Sequence, residues 1–307
     1  MNRPSMNFGD EQYHSIFWSH EWVFEKYYGW ALFKEHENFK VLFKYVGPLK
    51  RFLILSKLRH DELSIAVMNL GILKPFAMIV VKDFSRPFQD AVPELNIDRY
   101  RFLKSNDEMR LLNKYTFALE LLKSEQELWA EMNSDNRRVC KKVSASGMYA
   151  ECTDMPADFL LDIFFKRYKK MAAQKSLVML SEKLISKMFE GGQLTMHYAR
   201  IGDNICSMIL VYSVPSISYF MYGVPGNKKN DGSAQLLQWE VIQNLKKAGQ
   251  RWYDFGGVPE VDEMNGIYRF KKSFGGLGVD LGSEYFYSAR FLRFIKLLYG
   301  KIRLLTW

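Results

Sequence analysis

The chain has little cysteine and no long hydrophobic run. Its three cysteines form no CxxC pair, which argues against a disulfide framework and predicts a reducing compartment. The five histidines form no HExxH pattern and no Cys–His spacing resembles a zinc site, so we expect no metal centre. The apolar stretches near 76–81 and 205–215 are too short to span a bilayer, and no apolar run follows residues 1–5. These absences predict a cytoplasmic protein.

The sequence also lacks the motifs of nucleophilic hydrolases. No serine lies in a GxSxG context, and no nucleophilic triad can be assembled. Carboxylates such as Asp254 and Glu260 are present, but the sequence does not fix the distance between them. An aspartate at the end of a strand more often orders a turn than performs chemistry, so both interpretations of Asp254 stay open.

Positive charge and aromatic residues are abundant. Lysine and arginine outnumber aspartate and glutamate by 43 to 34, which gives a formal net charge of +9. This balance favours an anionic partner such as a phosphate compound, RNA or an acidic membrane face, although a basic solvated surface also explains it. With 48% hydrophobic residues, 307 residues are enough for one large core or two ordinary domains.

Hydrophobic periodicity predicts a mixture of helices and strands. In the first third we predict strands at 40–46, 51–56 and 76–81, a helix at 61–70 ended by Gly71, and a loop at 82–100. Farther on we predict helices at 156–173, 181–190 and 233–248 and strands at 116–121, 193–200, 204–213, 216–222 and 251–255. Ser124 and Glu127 fit a capping box at the start of a helix. This order predicts an α/β acyltransferase-like layer structure.

The segment 253–276 is the most informative part of the chain. A short strand ends at the pair Gly256-Gly257, and glycines without a side chain let a ligand approach the backbone closely. An acidic loop follows, and then a turn in which cations alternate with aromatic rings: Tyr268, Arg269, Phe270, Lys271, Lys272 and Phe274. Cations beside rings suit a planar anionic ligand such as a nucleotide or diphosphate.

A second candidate site lies where a strand meets a helix. The strand ends at Tyr222-Gly223, a loop carries Lys228 and Lys229, and the helix begins at Ser233. Free N–H groups and the helix dipole at such a start favour an anion, and the junction is similar to the pyrophosphate site of GNAT-type acetyltransferases, whose full glycine motif is missing here. An ordinary surface loop with a helix cap is the competing interpretation.

Two further segments are basic. Arg137, Arg138, Lys141 and Lys142 could hold phosphate or RNA, or form the solvated face of a helix. Residues 288–305 read as a basic amphipathic helix, with an apolar face and five cations on the other side. That helix could lie on an anionic membrane or pack against the protein.

Three stretches resemble the FemABX-type aminoacyltransferases, which build the peptide bridges of bacterial peptidoglycan. Residues 115–149 and 235–257 resemble the opening and the late helix and strand of the family's second domain. Residues 266–276, Gly-Ile-Tyr-Arg-Phe-Lys-Lys-Ser-Phe-Gly-Gly, are the most specific match. Over residues 1–110 only the segment from Trp18 to Trp22 is similar to the family. The long helical hairpin of some family members is missing, since residues 156–192 have room only for two short helices.

The resemblance implies a fold, a division of the chain and a reaction. The fold is α/β, with two GNAT-like subdomains packed side by side, each a central mixed sheet flanked by helices. Residues 1–113 plus 283–307 would form the acceptor-side subdomain, and residues 114–282 the transferase subdomain. An amine on a cell-envelope glycan precursor would attack an aminoacyl ester on tRNA and form an amide, with no cofactor required. Positioning would supply most of the catalysis.

The resemblance also assigns roles to residues. Phe270 and Lys271 match the family's Phe-Lys pair near the transferred acyl group, and Lys271 would stabilise the developing oxyanion or orient the ester; pairing with the acidic loop is the alternative. Asp254 joins them as a catalytic candidate. The donor-binding candidates are Tyr222, Gly223, Lys228, Lys229, Ser233, Arg269 and Lys272. The candidates for binding the acceptor or its phosphate are Arg137, Arg138, Lys141, Trp18 and Trp22.

Two other functions stay open at this point. An N-acyltransferase acting on an amino sugar would take acetyl-CoA or another acyl-CoA as donor and bind its pyrophosphate at 224–233. A non-catalytic protein would use the same scaffold to bind RNA or a membrane surface. The expected partners are tRNA, a nucleotide-linked or lipid-linked glycan precursor and, through 288–305, the inner face of an anionic membrane.

Overall fold

A computed structural model gives the fold. It describes residues 28–46, 49–73, 78–85, 92–105, 113–175, 177, 179–226, 231–258 and 261–288. The predictions for Trp18, Trp22, Lys228 and Lys229 lie outside these residues, and so does the predicted helix at 288–305 except for Ser288, which ends a strand. None of the helices in the described ranges is long and apolar enough to cross a membrane.

The chain divides into two compact units. One comprises Met1–Thr116, Gly257–Glu260 and Val279–Trp307, and the other comprises Phe117–Gly256 and Val261–Gly278. Each unit is built around a mixed sheet, and each sheet has seven strands among the described residues. The predicted α/β class, with mixed sheets flanked by helices, is confirmed.

The first sheet has the strand order β1-β2-β3-β4-β14-β6-β5. Its strands are β1 (Ala31–His36), β2 (Phe39–Val46), β3 (Leu49–Ser56), β4 (Met78–Asp83), β5 (Glu94–Ile97), β6 (Tyr100–Lys104) and β14 (Ser283–Ser288). The pair β3–β4 is parallel, and the other described pairs are antiparallel. The predicted loop at 82–100 is wrong in part, because β5 begins directly after Pro93, where a proline is tolerated at a strand boundary.

The core of the first unit lies on one face of this sheet. Helix α1 (His60–Asn69) places Leu63 and Val67, one turn apart, against buried residues of the strands such as Ile54 and Val81. The helix ends as predicted at Gly71, which has a φ of +61° that other residues rarely adopt.

The second sheet has the order β13-β7-β12-β11-β10-β9-β8. Its strands are β7 (Tyr115–Glu120), β8 (Tyr149–Thr153), β9 (Leu194–Ile201), β10 (Asn204–Val214), β11 (Ile217–Val224), β12 (Trp252–Val258) and β13 (Leu277–Asp280). The predicted antiparallel meander is confirmed, since β9, β10 and β11 pair in sequence. Strand β12 then pairs in parallel with β11, so the helix between them makes a crossover.

Six helices accompany the second sheet in the part of the chain that the structure describes. They are α2 (Glu125–Glu131), α3 (Ser134–Ala145), α4 (Asp158–Lys175), α5 (Glu182–Glu190), α6 (Ser233–Lys247) and α7 (Gly266–Lys272). The predicted capping box forms, because Ser124 Oγ accepts from the Glu127 N–H at 3.2 Å and the Glu127 carboxylate accepts from the Ser124 N–H at 2.7 Å. The segment carrying Lys271 was predicted as a turn and is instead the helix α7.

Candidate active site

The parallel pairing of β11 with β12 is short. It joins Ile217–Tyr219 to Trp252–Asp254, although β11 continues to Val224 and β12 to Val258. The reason lies two residues beyond Asp254, where Gly256 adopts a φ of +77° and turns its N–H to the Asp254 Oδ1 at 2.7 Å. An N–H that bonds to its own strand's carboxylate cannot extend the ladder to β11. The two strands therefore stop pairing at the buried Asp254 carboxylate.

Lys271 reaches this point from α7. Its side chain is only 8% exposed, and its Nζ lies 5.8 Å from the centre of the Phe220 ring. A methyl group on Gly256 would come within 3.4 Å of this Nζ and within 3.0 Å of the Phe220 carbonyl oxygen. Gly256 is thus required both by its φ and by the close approach of the amine.

Burial sets the protonation of Lys271. Desolvation lowers the pKa of this amine from 10.5 to about 8, and the negative charge of Asp254 opposes that shift. With this pKa the amine is mostly protonated at neutral pH. The neighbouring Lys272 forms an ion pair with Glu263 of the acidic loop.

Helix α7 is fixed at both ends. The Asn265 Oδ1 accepts from the N–H groups of Ile267 at 2.9 Å and Tyr268 at 3.1 Å, which caps the first turn. At the other end, the Ser273 carbonyl accepts from the Asn133 N–H at 2.9 Å, and the Ser273 Oγ accepts from the Asn136 amide at 2.7 Å. These bonds hold the short helix, and with it Lys271, at a defined position.

An aromatic stack supports the same helix from below. Phe274 stacks on Phe255 of β12 at 5.6 Å between ring centres, and the half-buried Phe270 meets Phe274 edge-on at 5.2 Å. Phe270 therefore has a packing role that is visible in the structure. Its placement near a transferred acyl group stays a prediction.

Tyr219 is a site residue that the sequence did not reveal. It pairs with Asp254 across the parallel ladder, so the two side chains point to the same face of the sheet. A methyl group on Gly256 would lie 3.4 Å from the Tyr219 Oη as well as from the Lys271 Nζ. Only the strand register brings these groups together, and the register joins residues 35 positions apart.

The donor-binding candidates are not all in one place. Lys272 and Arg269 lie on the exposed side of α7. The Tyr222 ring packs edge-on against Tyr168 of α4 at 5.7 Å, and a methyl group on Gly223 would approach the Phe220 ring to 2.9 Å. These contacts give the residues at 222 and 223 a packing role.

The start of α6 already holds a carboxylate. Asp231 Oδ1 accepts from the Ser233 N–H at 2.9 Å and from the Ser233 hydroxyl at 2.6 Å. A phosphate at this helix start would have to displace or sit beside that negative charge. The geometry therefore weakens the interpretation of Ser233 as a pyrophosphate ligand.

The basic residues of α3 have separate structural contacts. Arg137 Nη1 donates to the Ala130 carbonyl at 2.9 Å and also to the Met132 carbonyl, so it caps the end of α2. Arg138 is exposed and pairs with Asp135 at 3.2 Å. The Lys141 Nζ lies 5.9 Å from the centre of the Trp129 ring. In the structure these three cations therefore do not converge on one point.

Part of the second half of the chain matches a known protein family. Residues 197–290 match the model of the FemAB family, and this range contains Tyr219, Asp254, Gly256 and Lys271. No curated protein matches the chain.

Solved structures share the fold over nearly the whole chain. FemX superposes with a TM-score of 0.64 at 15% identity and covers 95% of both chains. L-PGS from Bacillus licheniformis gives 0.54 at 15% identity, covering 90% of this chain and 89% of its own. A C-terminal domain from Agrobacterium fabrum, assigned to a lysylphosphatidylglycerol synthetase, gives 0.50 at 11% identity, covering 88% and 86%. The match to the FemAB family is confined to residues 197–290, and the likeness to the solved structures shows a shared fold.

Proposed function

We propose that this protein transfers an aminoacyl group from aminoacyl-tRNA to an amino group on a bacterial cell-envelope glycan precursor and forms an amide. The observation that carries the proposal is the buried Lys271 amine beside Gly256, at the point where β11 and β12 stop pairing. The match of residues 197–290 to the FemAB family supports the choice of acyl transfer.

The residues of the site suit acyl transfer without a covalent intermediate. The acceptor nitrogen attacks the ester carbonyl, a C–N bond forms, and the carbonyl oxygen becomes an oxyanion. The Lys271 ammonium stabilises that oxyanion, and its low exposure makes the interaction stronger than it would be in water. The C–O bond to the tRNA then breaks, and the proton lost by the nitrogen goes to the departing ribose oxygen.

Asp254 acts on the amine and not on the substrate in this mechanism. Its negative charge favours the protonated form of Lys271 and opposes the effect of burial. Its Oδ1 also fixes Gly256 through the bond at 2.7 Å. Asp254 is therefore a positioning residue. It favours the protonated form of Lys271, and through Gly256 it keeps β11 and β12 apart beyond their short ladder.

A carboxylate at the start of α6 favours tRNA over acyl-CoA as the proposed donor. The Asp231 carboxylate occupies the Ser233 N–H, which the acyl-CoA alternative needs for a pyrophosphate. We also propose a cytoplasmic location, where charged tRNA and nucleotide-linked precursors are found.

The donor can be identified directly. Purified protein is mixed with nucleotide-linked envelope precursors and, in separate reactions, with a pool of charged tRNA or with acetyl-CoA, and the products are measured by mass spectrometry. We expect a new amide whose mass increase equals an amino-acid residue, in the tRNA reaction only. An acetyl increase in the second reaction would replace this donor with acyl-CoA, and no product from either donor would refute the proposal.

A further inference from the structure

Three side chains form a row across the first sheet. Lys44 of β2 pairs directly with Arg51 of β3. Ala31 pairs with Phe43, so Trp30, one residue before β1, lies next to Lys44. The Lys44 Nζ is 4.8 Å from the centre of the Trp30 ring, and the Arg51 guanidinium carbon is 5.9 Å from it. One indole thus lies within reach of two cations.

Two of these residues bury donors that have no acceptor among the described residues. Trp30 and Arg51 are each only 3% exposed, and neither the indole Nε1 nor the Arg51 Nε has a hydrogen-bond partner there. Leaving such a donor buried and unpaired destabilises the folded protein, and more so when the group is charged. Native proteins rarely keep two such groups side by side without a ligand, water or ion to satisfy them.

The charges of the row are also unbalanced. Burial lowers the pKa of Lys44, and the positive charge of Arg51 lowers it further. Burial also lowers the pKa of Arg51, and the negative charge of Glu284 opposes that shift. Lys44 is half-buried and retains some exposure, so an anion can approach it from solvent.

We propose that Trp30, Lys44 and Arg51 bind a phosphate or diphosphate group of a small ligand. The two cations and the indole N–H supply donors to several oxygens of an anion, and the negative charge of Glu284 offsets only one of the two positive charges. That this group belongs to the diphosphate of the glycan acceptor rests on the proposed function; the anion site itself does not.

Calorimetry with inorganic pyrophosphate tests the site without any transfer reaction. We expect Arg51→Met to weaken binding by about tenfold or more, because a charged hydrogen-bonding group is lost. Trp30→Phe keeps the ring and removes the N–H, so we expect a smaller loss of a few-fold. Arg99→Met, an exposed arginine in the same unit, should bind as the wild type does. Unchanged pyrophosphate affinity in Arg51→Met would overturn the proposal.

The melting temperature with added pyrophosphate distinguishes an anion site from a structural role of Arg51. Because a ligand that binds only the folded state stabilises it, pyrophosphate should raise the melting temperature of the wild type and leave that of Arg51→Met nearly unchanged. A rise of equal size in both proteins would count against the proposal.

Two binding measurements separate the anion site from the proposed transfer reaction. Lys271→Met should abolish transfer and keep pyrophosphate binding. Binding of UDP-N-acetylglucosamine that also depends on Arg51 would support the acceptor assignment, and its absence beside intact pyrophosphate binding would refute that assignment alone.

Discussion

Because the Lys271 amine is buried, the free energy of unfolding should change with pH in the alkaline range. Its pKa is lowered from 10.5 to about 8 by desolvation. Between these two values the unfolded chain binds a proton that the folded chain has released. The free energy of unfolding must therefore rise with pH in this window, with a slope of at most about 1.4 kcal/mol per pH unit. Over the whole window the contribution is about 3 kcal/mol.

Urea unfolding at pH 7, 8, 9 and 10 measures this contribution. Lys271→Met keeps a similar length and cannot titrate, so the wild-type value minus the mutant value isolates the lysine. We expect this difference to be constant below about pH 8 and to rise above it by about 1 kcal/mol per pH unit, because unfolding then requires the amine to take up a proton. As a control, the wild-type value minus that of Lys170→Met, a change on the exposed surface of α4, should stay constant from pH 7 to pH 10.

One result would refute the reasoning. If the difference between the wild type and Lys271→Met stayed flat up to pH 10, the amine would have an ordinary pKa in the folded protein. It would then be solvated, and neither its burial nor its effect on an oxyanion could be as described.

Three other predictions concern stability. Gly256→Ala should lower the free energy of unfolding by about 1–3 kcal/mol, and by more than Gly249→Ala does, because both glycines have positive φ but only Gly256 of the two is crowded by neighbouring atoms. Urea unfolding of the two variants measures this difference. Equal losses of stability would contradict the crowding argument. Arg137→Met should lower the free energy of unfolding by about 1–2 kcal/mol, because α2 loses its cap. Arg138→Met should lower it by close to nothing, since exposed ion pairs contribute little. Thermal melts that show equal effects for the two variants would contradict this prediction. Desolvation lowers the pKa of buried His197 from 6.5 to about 4, so between these pH values the unfolded chain binds a proton that the folded chain does not, and the free energy of unfolding should fall by about 3 kcal/mol from pH 6.5 to pH 4. Acid unfolding of His197→Asn should lack this fall. An acid transition identical to that of the wild type would show that another group is responsible.

Much of the fold follows from local patterns. The Ser124 capping box and the stop of α1 at Gly71 were predictable because each depends on a few neighbouring residues. The meander of β9, β10 and β11 was predictable because alternating apolar runs are separated by short turn sequences. Helix α7 was missed because it has only seven residues, too few for a helical period to stand out.

The site was only partly predictable because it depends on non-local contacts. Sequence indicated Lys271 and Gly256, but the pairing of Tyr219 with Asp254 follows from strand register. The basic cluster at Arg137 looked like a phosphate site, yet the backbone carbonyls of α2 take up that guanidinium. The buried row at Arg51 could not be inferred either, because the adjacent cations Lys50 and Arg51 near the start of β3 look like an exposed strand end.

The central claim is that the Lys271 ammonium stabilises the oxyanion of an acyl transfer. Its most direct test is the single-turnover rate of amide formation from charged tRNA and envelope precursor, measured for the wild type, Lys271→Met and Lys170→Met. We expect Lys271→Met to be slower by about a hundredfold or more, as for the loss of an oxyanion donor, and Lys170→Met to match the wild type. A folded Lys271→Met protein that forms the amide at the wild-type rate would contradict the claim.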